Sequence, residues 1–235
     1  MPAVLVNTVS VALGSLLGLL LRSRFKENLQ TAVMKALALC TLVIGVSSAI
    51  ASNEILCLIL CMAFGTILGE CLRIEDGINR LGVALKARFA RGENSRFTEG
   101  FVTACILFCV GSMTVVGCLE VGVDHHYDLL FAKSLLDFFS SSALAAAMGV
   151  GVFFSSAFVL VFQGLLVLLA RWIEPFLTPE IITEMSAVGG TIIIGISVNM
   201  LELGKEPIRV ANMLPAIFLP ILYIPAVEWL GGLFG

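Results

Sequence analysis

From Pro2 to Leu21 the chain runs for twenty residues without a charged side chain. At 1.5 Å per residue, a helix of that length crosses the roughly 30 Å hydrocarbon core of a bilayer. Seven further apolar runs end at charges or at Gly/Pro breaks. The eight predicted spans cover 3–21, 29–50, 54–72, 100–119, 129–148, 152–170, 185–203 and 211–233. The boundary with the weakest signal is Met148-Gly149-Val150-Gly151, where no charge marks a turn. Residues 129–170 are too long for one span and suit two.

Composition fits this class: 59% of the 235 residues are hydrophobic and 13% charged, against roughly 25% charged in a soluble domain. The expectation is an all-α polytopic bundle forming one membrane domain over 1–235. The net charge of −3 carries little information, because the distribution of basic residues among loops sets orientation. A signal peptide has its positive charge before its apolar region. Here Arg22, Arg24 and Lys26 follow it, so the first run is predicted to be an uncleaved span.

Those three residues share a side with Arg73, Arg80, Lys86, Arg88, Arg91 and Arg96 after span three, and with Lys205 and Arg209 after span seven. The opposite side carries the acidic VGVDHHYD turn and the loop with Glu174 and Glu180. The positive-inside rule then puts the basic loops in the cytoplasm and both termini outside. Residues 74–91, IEDGINRLGVALKARFAR, read as a basic amphipathic helix on the inner surface, with Ile78, Leu81 and Leu85 towards lipid. Membrane lipid is the partner this implies, and nucleic acid is not expected.

An internal repeat is visible at an offset of 150: TLVIGVS at 41–47 matches TIIIGIS at 191–197, while Gly14, Leu16 and Leu19 match Gly164, Leu166 and Leu169. Five spans precede the second copy, so it would enter the membrane in the opposite sense, the inverted-repeat plan of many secondary transporters. The predicted organisation is a first three-helix repeat (1–72), a cytoplasmic basic amphipathic segment (73–98), two central spans (99–150) and a second, inverted three-helix repeat (151–235).

Ionisable groups within the spans are costly, and they default to a functional role. Asp137 lies about eight residues into span five, roughly 12 Å deep, near the midplane. Lys133, one turn nearer the surface, is close enough to the interface to extend outward. Ser140 and Ser141 follow Asp137 by one turn. A buried ion pair that only joins helices is the competing reading, although Lys-before-Asp is the weaker order for such a pair. Two other stretches read as interrupted helix. SAVGGT holds Ser186, Gly189, Gly190 and Thr191 ahead of Asn199; NMLPAIFLPILYIP holds Asn212, Pro215, Pro220 and Pro225. Proline frees a backbone carbonyl inside the membrane, where carbonyls can line a polar path. The run FCVGSMTVVG, with Gly111, Ser112, Thr114 and Gly117, reads as a tight helix crossing.

The seven cysteines are all in the first half, mostly in apolar runs, and read as packing residues and not as a disulfide framework. No HExxH, GxSxG, Walker loop or CxxC pair occurs. His125 and His126 are adjacent in an outer turn and diverge on any regular element. A Ser–Lys dyad around Lys133 lacks the accompanying groups that nucleophilic catalysis needs. An enzyme is therefore not expected, nor is a cofactor or a bound metal.

With GTILGE (65–70), FCVGSMTVVG (108–117), AKSLLDFF (132–139), SAVGG (186–190) and NMLPA (212–216) in view, the chain resembles the YqgA/YdfK family of bacterial inner-membrane proteins (domain of unknown function 554) over nearly its whole length. That resemblance implies a bacterial inner-membrane location and, at most, a transport role. It carries Lys133, Asp137, Asn212 and Pro215 as pattern residues without assigning them roles, and it names no substrate.

The expected function is movement of a small solute or ion through a midplane polar site: Asp137 with Lys133 as its charge partner, and Ser140, Ser141, Ser186, Gly189, Gly190, Thr191, Asn199, Asn212 and Pro215 lining the path. The rival is a non-transporting scaffold or partner-binding subunit, and a homo-oligomer is left open. A dry, fully paired Asp137 would favour the scaffold, and a wet cavity beside it the transporter.

Overall fold

A computed structural model describes residues 1–22, 27–77, 80, 97–109, 111–123 and 125–234. Every regular element among them is helical. These are α1 (Pro2–Arg22), α2 (Glu27–Ala49), α3 (Ile55–Leu72), α4 (Phe97–Cys109), α5 (Ser112–Val123), α6 (Asp128–Met148), α7 (Gly151–Ile173) with a 3-10 turn at its end (Glu174–Phe176), α8 (Pro179–Met200), a longer 3-10 segment (Val210–Phe218), called the 3-10 segment below, and α9 (Pro220–Phe234). Six are long and apolar enough to cross a membrane, the last formed by the 3-10 segment together with α9; α4 and α5 add a seventh span as a bent pair. The apolar part of α2, Met34–Ala49, is shorter. Most of the expected amphipathic stretch 74–91 lies outside the described residues, apart from a helical turn at 74–77.

α1 and α3 bury narrow stripes and turn the rest outward, whereas α8 is mostly buried. On α1, Ala3, Val4, Asn7, Val11, Gly14, Ser15 and Gly18 are buried, while Leu5, Val9, Leu13, Leu16 and Leu20 are exposed. In lipid that exposure is not penalised, and association depends on close packing through small residues. α3 illustrates the rule with a four-residue period: Cys57, Cys61, Gly65 and Gly69 are its buried positions. A side chain at Gly65 would strike Ala216, and one at Gly69 would strike the backbone of Asn212. The 3-10 segment therefore lies directly on the glycine face of α3. The packing pairs are α1 with α6 and α7, α2 with α8, α3 with the 3-10 segment, and α7 with α4 and α5.

Of three boundaries, one agrees with the sequence reading and two differ in kind. The weakly marked split at 148–151 is a real turn, where Gly149 adopts φ 91°, a conformation that L side chains rarely take. The expected interruption at SAVGGT is absent: α8 is continuous from Pro179 to Met200, started by the Thr178 hydroxyl accepting the Ile181 N–H at 3.3 Å. Its glycines serve close approach, since a Cβ at Gly190 would lie 2.7 Å from the Gly45 carbonyl of α2. The interruption is instead in span four, where α4 and α5 meet at 57°. The Thr114 hydroxyl donates to the Phe108 carbonyl at 2.9 Å, satisfying a group that the break leaves outside the helical ladder.

Candidate functional site: a buried ion pair and two cavities

On α6, Leu130, Lys133, Ser134, Asp137, Ser141 and Leu144 are buried, a helical stripe that includes both charges. Phe131, Leu135, Leu136 and Phe139 occupy the exposed face. Lys133 Nζ donates to Asp137 Oδ2 at 2.6 Å, with the two residues 5% and 6% exposed. Lys133 therefore does not extend to the interface as the sequence reading allowed. Its ammonium turns inward, because a carboxylate in low dielectric attracts the nearest counter-charge strongly. The Phe108 ring lies 5.9 Å from Nζ to its centroid, within cation–π range.

Two amides that the sequence reading passed over complete the cluster. Asn7 of α1 and Gln163 of α7 are fully buried, and Asn7 Nδ2 donates to Gln163 Oε1 at 3.1 Å. The Asn7 side chain also approaches the Asp137 carboxyl. Asn7 Oδ1 and Gln163 Nε2 have no hydrogen-bond partner. The signal for them was available: each is a lone carboxamide in an otherwise apolar run. Ser141 belongs to the same face and donates to the Phe138 carbonyl at 3.0 Å, whereas Ser140 is only half-buried.

The remaining predicted residues do not converge on this cluster. Gly189 and Gly190 are buried, and Gly190 forms the α2 crossing. Thr191 donates back to the Ala187 carbonyl, and Ser186 is half-buried. Asn199 clips the chain after α8, donating to the Ile208 carbonyl and accepting the Ile208 N–H, each at 2.8 Å. Asn212 Oδ1 accepts the Glu75 N–H at 2.8 Å, and Pro215 is half-buried within the 3-10 segment. The expected crossing at Gly111 and Gly117 is not tight. A Cβ at Gly111 would meet nothing within 4 Å, and one at Gly117 would make ordinary contacts at 3.5 Å or more. Gly111 stands at the α4–α5 break, and Ser112 begins α5.

A second buried carboxylate was also missed. Glu184 on α8 is fully buried. It accepts from the Ser52 hydroxyl and the Asn53 N–H, each at 2.7 Å, and from the Glu54 N–H at 3.2 Å. It thereby caps the start of α3, whose end carries partial positive charge. Treating charge as a break had placed Glu184 one residue outside the span beginning at 185; the helix begins at Pro179.

Two cavities are lined by described residues, the first beside the loop that follows α8. The larger, about 460 Å³, is lined by Glu75, Glu99, Glu202, Thr103, Asn199 and Val102 among others. Burial pushes the Glu75 carboxyl above its ordinary value, and Arg209 opposes this. Arg209 also joins Glu70 and Asp76, at 3.0 and 2.8 Å. The smaller cavity, about 290 Å³, is apolar and runs between Val102, Phe101, Phe162, Met185, Leu214 and Cys109. Val102 is in the wall of both. Cys109 ends α4 and lies within electrostatic reach of Lys133 and Asp137. Neither cavity is lined by Lys133 or Asp137.

The family model "Protein of unknown function (DUF554)" matches residues 2–224. The chain belongs to this family. It is 28% identical over 218 residues to "Uncharacterized protein YqgA" of Escherichia coli (strain K12), covering 91% of this chain and 92% of that protein. It is 27% identical over 229 residues to "Uncharacterized membrane protein YdfK" of Bacillus subtilis (strain 168), covering 96% of each. No solved structure matches the chain. The full-length matches and the apolar helices make it a membrane protein.

Proposed function

We propose that this DUF554 protein moves a small polar solute or ion across the bacterial inner membrane. The route starts in the carboxylate-lined vestibule, passes Val102 and the apolar chamber, and ends beside Cys109 at the Lys133–Asp137 pair. The observation that carries this reading is the succession of two cavities sharing Val102, the inner one reaching the break between α4 and α5. Broken helices at buried polar sites are a transporter feature. The inverted repeat supports it further: α1, α2 and α3 each pack against the element 150 residues on, namely α7, α8 and the 3-10 segment.

Flux into proteoliposomes tests the reading, using a panel of inorganic cations and small polar solutes and the variants Val102→Trp and Val102→Ala. Wild type should exceed an inert membrane protein for at least one solute. Val102→Trp should reduce that flux about tenfold or more, and Val102→Ala should not. Flux at background for every solute overturns the proposal. Orientation is checked separately by an impermeant thiol reagent on cysteines placed at Lys205 and His126, both exposed, in a background lacking native cysteines. His126 should label from outside and Lys205 only after permeabilisation.

The scaffold reading draws on two observations: Asp137 is buried and bonded to Lys133, as a helix-joining pair would be, and neither cavity is lined by either residue. The same flux experiment decides between the two.

A further inference from the structure

Several features around Lys133 favour positive charge at one point. Its ammonium is bonded to Asp137, faces the Phe108 ring, and lies beside the C-terminal end of α4, where the helix dipole is negative. Close by is a carboxamide whose oxygen, Asn7 Oδ1, is fully buried and unbonded. A pair that served only to join helices would be expected to meet the bonding needs of its buried neighbours. This one leaves an acceptor on Asn7 and a donor on Gln163.

We infer that Asp137 and Asn7 form a binding site for a monovalent cation, a metal ion or a proton, for which the Lys133 ammonium is a tethered competitor. The inference rests on the transport reading and names the ligand class of its inner site. An amide can turn either end towards the carboxylate. With Lys133 in place, the N–H end of Asn7 faces Gln163 and Asp137. When a cation binds, a half-turn of the amide presents Oδ1 beside the carboxylate, and the reciprocal turn of Gln163 donates Nε2–H to that same oxygen. Lys133, displaced from Asp137, has only one turn of α6 between it and the outer surface, a distance its stem can bridge. Single charge follows from the ligands: one carboxylate and neutral amides balance one positive charge, whereas a divalent ion generally recruits more carboxylates.

Thermal unfolding of the purified full chain tests this at constant ionic strength, with Na⁺, K⁺ or Li⁺ replacing choline in one arm and pH varied in choline in the other. A cation that binds the folded state raises Tm with its concentration. Lys133→Met should move the half-maximal cation concentration about tenfold or more below wild type, because the competitor is gone. Asn7→Leu should raise it, and Asp137→Asn should abolish the shift. A response to a metal cation identifies the ion as metal, and a response confined to the pH arm that disappears in Asp137→Asn identifies it as a proton. If Lys133→Met does not fold, the comparison of wild type with Asn7→Leu and Asp137→Asn decides alone. Melting indifferent to both arms in every folded variant overturns the inference, as does a response that survives Asp137→Asn. Cation binding without flux would sustain the site and sink transport; flux with no cation or proton dependence would do the reverse.

Discussion

The Glu184 carboxylate on α8 accepts the backbone N–H of Asn53 at 2.7 Å, so a side chain of one helix holds the entry of another. It also takes the Ser52 hydroxyl and the Glu54 N–H. The Ser52 hydroxyl oxygen also accepts the Glu54 N–H, at 3.2 Å, so among the described residues the Asn53 N–H and the Ser52 hydroxyl are the donors that depend on Glu184. Replacement of Glu184 by Leu should therefore cost about 1–3 kcal/mol, at about 1 kcal/mol for each of the two donors that lose their acceptor. Glu184→Gln keeps one acceptor and should lose roughly half as much. Melting temperatures in detergent would show the ranking wild type, Gln, Leu; equal values for all three would mean that α3 starts without this cap.

Glycines that look alike in sequence make unequal contributions, and that can be measured. A Cβ at Gly190 would lie 2.6 Å from the Ser48 Cβ and 2.7 Å from the Ala49 nitrogen, whereas one at Gly164 would meet nothing within 4 Å. Gly190→Ala should force α2 and α8 apart and lower Tm clearly. Gly164→Ala should be neutral or stabilising by up to about 1 kcal/mol, the helix-propensity difference. A neutral Gly190→Ala would show that the α2–α8 crossing is looser than described.

Glu75 gives a pH signature. Burial raises its carboxyl in the folded protein, outweighing the attraction of Arg209; Glu70 and Asp76 add to the rise. Between the ordinary value of about 4.3 and the raised one, the folded state holds a proton that the unfolded chain has released. Stability from this group therefore falls as pH rises through that window. Glu75→Gln removes the titration and leaves the backbone bond to Asn212 intact. Its Tm should exceed that of wild type at neutral pH, with the gap closing as pH drops towards 4. A gap that stays constant with pH would assign the effect to packing.

The spans were legible because length and continuous apolarity are the conditions for crossing lipid, and seven of the eight runs appear as helices or helix pairs of spanning length. Asp137 and Lys133 were legible for the opposite reason, as charges where charge is expensive. Less legible was which glycines do what. Gly111, Gly164 and Gly190 look alike in sequence, and only the neighbouring helix decides whether a Cβ has room. Asn7 and Gln163 sit 156 residues apart, and nothing local indicates that they meet. Glu184 was lost to the rule that treats charge as a boundary, a rule that fails where a turn supplies backbone N–H groups to a buried carboxylate.

The Lys133–Asp137 pair itself can be examined with a double-mutant cycle in choline buffer, where no small cation replaces a lost partner. Lys133→Met leaves the Asp137 carboxylate without its counter-charge, and Asp137→Asn does the same to the ammonium. Breaking a buried pair from one side typically costs about 3–5 kcal/mol, while replacing both members is often close to neutral. Lys133→Met combined with Asp137→Asn should therefore melt above either single variant, with the carboxamide still able to bond to Asn7. The order of the three melting temperatures is the readout, and it holds even where unfolding is irreversible, provided scan rates match. Losses that simply add would mean that the two side chains do not share an interaction in the membrane-embedded protein. A double variant that melts highest, and no longer responds to any cation, would locate both the stability coupling and the ion dependence on this one turn of α6.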